Sequence, residues 1–333
     1  MEISRPARAG HGHGSRHLVH RPRYFGPQPP PGPDDRGQEF VLTGELPTAH
    51  PLFNDGHDRF HDPQAAMAMV SQVSGGIGQA HFGVPADRVA VFYRFGLESS
   101  DVGAWRRHPG GAGTLTVTMQ VRPDKVISGI PRALEFDTRL EIDGVAAGTG
   151  SANLLFVAPM AHRSHREYSR HAVLAVAGRH AGHADGAKGA GGAPGPGPAE
   201  VGRASAANVL LHSPVSVEGH RLSAAVRPPC TWPAGLARPD GAPASALLLE
   251  VLRQTALLSA HRLHGLDPRH CALIALHTHF RGHAEPDLPL RCAAVAQPAR
   301  QDGLGRPLVA LALTLTQAGR AVTEAVVSVV EDL

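Results

Sequence analysis

The sequence predicts an α+β fold made twice: two tandem repeats, each with one long apolar helix packed on a curled antiparallel sheet. Three observations carry this. The stretch "AAMAMVSQVSGGIGQAHFGVPADRVAVFYRF" (65–95) aligns without a gap on "LLLEVLRQTALLSAHRLHGLDPRHCALIALH" (247–277), so that Gln72 meets Gln254 and Gly83 meets Gly265, both 182 positions apart. Short strand-like segments recur in the same order around each stretch. Finally, "RALEFDTRLEIDGVAAGTGSANLLFV" and "PLVALALTLTQAGRAVTEAVVSVV" each read as two alternating strands joined by a glycine turn, at "IDGV" and "QAGR", which is the pattern of a β-hairpin.

One helix laid across a curled sheet is the hotdog arrangement, and two in one chain make a double hotdog. The runner-up is an ordinary α+β sandwich. Residues 1–16 are Gly-rich and are expected to be a disordered tail. The first repeat is expected over 17–176, starting with the strand "HLVHR" (17–21), a Pro/Gly-rich loop (26–37) and the strand "FVLTGEL" (40–46). The helix that follows has a start signal in "HDPQAAM": Asp62 suits the N-cap and Pro63 the first helical position. Gly75, Gly76 and Gly78 loosen its far end, because an interior glycine costs about 1 kcal/mol relative to alanine. Residues 177–204 hold almost no large apolar side chains and are expected to be a linker. The second repeat, 205–333, opens on "VLLHS" (209–213) and "HRLSAAV" (220–226), the counterparts of the first two strands.

A chain of 333 residues with 42% hydrophobic side chains can bury a core. A formal net charge of +3 is too small to indicate a nucleic-acid or membrane surface. Cys230, Cys271 and Cys292 show no Cys-x-x-Cys spacing, which fits a reducing cytoplasm and no disulfide framework. No apolar run is long enough to span a bilayer, and a cytoplasmic location is expected. Histidine is abundant, with His-x-His pairs at His11/His13 and His277/His279, but neither has a third ligand nearby and no metal site is expected. His50, His57, His81 and His261 flank the helices and read as capping or half-exposed residues. Trp105 and Trp232 read as packing residues, and the basic segment "HRSHREYSRH" (162–171) as a solvated face or a dock for an acidic carrier protein.

The second helix carries the chemistry. In "LLLEVLRQTALLSA", Glu250, Arg253 and Gln254 project from one side, at i, i+3 and i+4, among apolar residues. One reading is an internal ion pair with Gln254 satisfying stray sheet carbonyls. The other is a site: a buried acid–guanidinium pair is rarely a net stabiliser, and Glu serves as a general base where Arg offers donors to phosphate or an oxyanion.

The chain resembles the A-factor biosynthesis hotdog family of actinomycetes. The resemblance lies in "VHR" (19–21), "HPLF" and "HDP" (50–63), Gln72 followed by "AHFGVP" (80–85), "VGRASAANVLL" (201–211) and "LLLEVLRQTA" (247–256). It implies an acyltransferase that moves a β-ketoacyl group from an acyl carrier protein or coenzyme A thioester to the hydroxyl of dihydroxyacetone phosphate, in the making of a γ-butyrolactone signal. It implies no cofactor. Glu250 would take the hydroxyl proton, Arg253 would hold the phosphate or polarise the thioester carbonyl, and Gln254, Gln72 and Asp62 would line the substrate site. The chain departs from the family in the first repeat, where Ala68 and Ser71 replace the Glu and Arg. Alternatives within reach are a hotdog thioesterase or dehydratase, and a non-catalytic regulatory member. Oligomeric state stays open, since an internal repeat can replace a homodimer.

Overall fold

A computed structural model describes residues 17–21, 37–46, 55, 59–108, 111, 113–181, 195–227, 245–285 and 287–332. The expected N-terminal tail, His11, His13, His50, His57, Cys230 and Trp232 lie outside them. Two compact units form: 1–53 with 60–159, and 54–59 with 160–333.

The first unit contains β1 (His17–Arg21), β2 (Gln38–Glu45), α1 (Gln64–His81), β3 (Val89–Ser99), β4 (Thr114–Ile127), β5 (Ile130–Ile142) and β6 (Val145–Val157). Its strands pair antiparallel in the order β1-β2-β4-β5-β6-β3. The second unit contains α2 (Pro159–Ala181, from Met160 onward), β7 (Leu211–Glu218), β8 (Arg221–Val226), α3 (Ser245–His264), β9 (Cys271–Phe280), β10 (Leu290–Ala296), the short β11 (Arg300–Gln301), β12 (Pro307–Gln317) and β13 (Arg320–Glu331). Its order is β7-β8-β10-β12-β13-β9, with β11 added beside β12. Strand for strand this is the same topology, so the fold is a double hotdog.

The repeat extends to backbone detail. Both hairpins turn on two residues with positive φ, Asp143–Gly144 (51° and 80°) and Ala318–Gly319 (47° and 79°), as a type I′ turn requires. Both helices end on the matched glycines in the left-handed region, Gly83 at φ 66° and Gly265 at φ 74°. There the amide of Val84 donates to Gly78 O at 3.1 Å and that of Leu266 to Ala260 O at 3.3 Å, each reaching six positions back so that the left-handed glycine closes the helix end in the same way in both repeats.

Asp62 caps α1 as its sequence suggests: Oδ1 accepts from the Gln64 amide at 2.9 Å. The helix is assigned from Gln64, with Pro63 already helical at φ −58°. Gly75, Gly76 and Gly78 do not end the helix. A Cβ at Gly78 would run into the ring of Phe156 on β6, which is itself buried. Glycine there allows α1 to lie close to its sheet. Replacing Gly78 with alanine is therefore expected to lower stability by about 1–3 kcal/mol through overpacking. A urea midpoint equal to that of the parent protein would contradict this. Trp105 is buried and donates from Nε1 to Ala147 O at 2.9 Å, as a packing residue should.

The expected boundaries change at the junction. Residues 159–181 are helical and 195–204 are folded, so the expected linker 177–204 is helix at its start and ordered chain at its end. α2 belongs to the second unit rather than the first because its polar side chains are anchored there. Arg170 forms a two-pronged pair with Asp287 at 2.7 Å and reaches Glu285 at 3.1 Å, and Arg320 donates to Ser169 O at 3.0 Å. Arg166 lies 3.6 Å from Glu285. The basic segment 162–171 thus turns two of its three arginines toward acids of its own unit. Among the described residues no helix is long and apolar enough to cross a membrane.

Candidate active site

α3 is buried continuously from Leu247 to Ala260. It lies against β8, β10, β12 and β13, and the short 3-10 turn Pro198–Val201 covers it as well. That is why nearly every position on the helix is apolar. It is also why its three large polar side chains, Glu250, Arg253 and Gln254, must be satisfied inside the unit.

They are satisfied by a residue from the far end of the expected linker. Arg203 is 2% exposed. Its Nε donates to Glu250 Oε1 at 2.9 Å, and its Nη2 sits 2.7 Å from Oε2. The second contact is an ion pair whose angle falls outside hydrogen-bond geometry, so Oε2 is the carboxylate oxygen that accepts no hydrogen bond. Arg253 is a more distant counter-ion, with Nη1 3.7 Å from Oε1 and 3.4 Å from Val201 O. Gln254 Nε2 donates to Glu250 Oε1 at 2.7 Å and to Asn208 O at 2.8 Å, while its Oε1 accepts from the Leu210 amide at 2.8 Å. Gln254 therefore clamps chain 208–210 to the helix and orients the carboxylate in the same act.

The turn bearing Arg203 is built for this position. Gly202 adopts φ 65°, and a Cβ there would stand 2.9 Å from Leu257 Cδ1 and 3.3 Å from Arg253 Nη2. The Arg203 amide closes the turn on Pro198 O at 2.8 Å. Asp55, which comes from the 54–59 segment, pins the next residues: Oδ2 accepts from the amides of Ala204 at 2.8 Å and Ser205 at 3.2 Å, and from Asn208 Nδ2 at 3.3 Å. Neither Arg203 nor Asp55 was singled out from the sequence. The signal for Arg203 was its place directly after a glycine in "VGR"; Asp55 offered none.

The structure brings Glu250, Arg253 and Gln254 together, all 7% exposed or less. Gln72 and Asp62 belong to α1 and its cap in the first unit; Gln72 is exposed, whereas its repeat partner Gln254 is fully buried. Ala68 and Ser71 are half-buried on the same helix. His261 Nδ1 lies 2.9 Å from Leu266 O, a capping contact, and His81 packs edge-on against Phe40. Burial pushes the Cys292 thiol up to about 12 and shifts Cys271 the same way, so neither supplies a thiolate at neutral pH. No cluster of three or more metal-ligating side chains occurs among the described residues, and His277 and His279 stay a pair on β9.

Residues 197–330, which contain the whole α3 cluster, match the family model described as the A-factor biosynthesis hotdog domain. Over these residues the chain is similar to that family. The chain is also 27% identical over 293 residues to a 2-oxo-3-(phosphooxy)propyl 3-oxoalkanoate synthase of Streptomyces coelicolor (strain ATCC BAA-471 / A3(2) / M145), covering 86% of this chain and 83% of that protein. Two solved structures share the fold at low identity. One, described as an oleoyl thioesterase from Lactobacillus plantarum, has a TM-score of 0.53 at 8% identity over 90% of this chain and 97% of its own. The 12:0-ACP thioesterase from Umbellularia californica has 0.50 at 11% identity over 87% and 93%. The matched region contains the buried cluster, while the thioesterases speak for the fold alone.

Proposed function

We propose that this protein is an acyltransferase of γ-butyrolactone signal biosynthesis, acting in the cytoplasm. It moves a 3-oxoacyl group from an acyl carrier protein or coenzyme A thioester to the hydroxyl of dihydroxyacetone phosphate. The observation that carries the reading is the likeness to the Streptomyces synthase over 86% of the chain, a protein whose name describes such an ester.

The step needs a proton acceptor and a cationic receptor. The hydroxyl oxygen attacks the thioester carbonyl carbon, the C–O bond forms and the C–S bond breaks. Glu250 Oε2 accepts the hydroxyl proton and passes it to the departing thiolate. Arg253, the most exposed member of the α3 triple at 7%, meets the phosphate or the carbonyl oxygen as charge develops. Gln254 holds the carboxylate in line by its bond to Oε1. Asp62 and Gln72 are read as substrate-site residues on the family resemblance alone, one capping α1 and the other exposed on it. No cofactor is needed for this exchange of one acyl acceptor for another.

Purified protein incubated with a 3-oxoacyl thioester and dihydroxyacetone phosphate tests the reading by mass spectrometry. The phosphorylated ester is the expected product. Free 3-oxo acid alone would make the protein a thioesterase, and binding without turnover would make it a regulatory member; either result contradicts the proposal.

A further inference from the structure

The buried face of the second sheet is aliphatic along most of its length: Leu276 on β9, Leu311, Leu313 and Leu315 on β12, and Val327 and Val329 on β13, all 3% exposed or less. Three polar side chains interrupt it at one end, and one of them, Gln317 on β12, is bonded to the backbone of Glu285 and Leu288. Thr278 on β9 is 4% exposed and Thr323 on β13 is fully buried. Register pairs Ala325 with Thr278 and Phe280 with Thr323. Alternate residues of a strand share a face, so the two threonines are diagonal neighbours, within about 7–8 Å of each other.

Neither hydroxyl has a hydrogen-bond partner. Elsewhere in this unit buried hydroxyls are satisfied: Thr255 Oγ1 donates to Val251 O and Ser259 Oγ to Thr255 O, each at 2.7 Å. An unmade hydrogen bond in an aliphatic setting is a cost that valine, of the same shape, would not carry.

We propose that Thr278 and Thr323 form a polar subsite inside the second unit that donates hydrogen bonds to the 3-oxo oxygen of a bound acyl chain. Two neutral donors in a hydrocarbon wall suit a ketone flanked by methylenes. An anionic group would call for a cation, and none of the face residues named above is charged. The inference rests on the acyl-transfer reading and adds the device by which a 3-oxoacyl chain is told from a saturated one.

The test compares 3-oxoacyl and saturated acyl thioesters of one chain length on Thr278→Val, Thr323→Val and the double variant. In the parent protein the 3-oxo chain should be preferred. In the double variant that preference, read as the ratio of kcat/KM values, should fall at least about tenfold while the saturated substrate is unaffected. Thermal stability should be equal or higher, since an unpaired buried hydroxyl has been removed. An unchanged preference, an equal loss on both substrates, or a lower melting temperature would each overturn the subsite. The ratio is read from thioester consumption, so hydrolysis in place of ester formation would end the acyltransferase reading and leave the subsite testable. If the parent consumes neither thioester, calorimetric binding of the two coenzyme A thioesters gives the same ratio, with the same outcomes deciding.

Discussion

Replacing Arg203 with methionine is expected to cost about 3–5 kcal/mol of folding stability, because it strips a buried carboxylate of its shortest counter-ion. The side chains of Arg203 and Glu250 are 0% and 1% exposed, so water cannot take over the lost contacts. Arg253, at 3.7 Å, is too far to replace the 2.7 Å contact without moving its helix turn. Lysine at 203 should recover part of the loss: it keeps the charge and gives up the side-on approach that touches both oxygens. The double variant Arg203→Met, Glu250→Gln should be more stable than the single one, since the stranded charge is gone. Urea unfolding measures all three. A single variant within about 1 kcal/mol of the parent, the usual reach of an exposed pair, would show that the pair is not the buried anchor described.

Arg253→Ala is expected to abolish most acyl transfer while leaving the fold intact. Its hydrogen bond to Val201 O is long at 3.4 Å, and its 3.7 Å ion pair with Glu250 is longer than the 2.7 Å pair made by Arg203. Its loss should therefore weigh less on stability than that of Arg203. On catalysis it should weigh heavily, since removing one donor aimed at developing charge commonly costs about 100-fold in kcat. If the guanidinium meets the phosphate, KM for dihydroxyacetone phosphate rises as well, and unphosphorylated dihydroxyacetone becomes an equally poor acceptor for parent and variant. Steady-state kinetics with both acceptors separate the two roles. Parent-like rates with both would remove Arg253 from the site.

Much of the fold was legible because local pattern and tertiary role coincide. The hairpin turns are written in Gly144, Gly319 and Asp143, which tolerate positive φ, whereas Ala318 at φ 47° is forced there by its turn. The apolar run of α3 declares a helix wrapped by its sheet. The matched glycines 83 and 265 mark equivalent caps. What escaped depended on contacts between distant residues. Among the described side chains of α2 only Ser169 and Val173 are buried, so no apolar stripe announces it, and its place in the second unit follows from ion pairs to Glu285 and Asp287 more than 110 positions away. Arg203 sits in a stretch whose composition reads as linker, and its burial follows only from folding that stretch over α3. The Gln72–Gln254 match is correct as a repeat and uninformative as chemistry: one side chain faces solvent and the other locks a carboxylate.

Glu250→Gln gives the most direct measurement of the central claim. Glutamine keeps the shape of the side chain and removes both its charge and its capacity to take a proton. In a variant shown by circular dichroism to be folded, ester formation from a 3-oxoacyl thioester and dihydroxyacetone phosphate should fall by about 100-fold or more, as expected for loss of a general base. Ester formation at the parent rate in that folded variant would contradict the account.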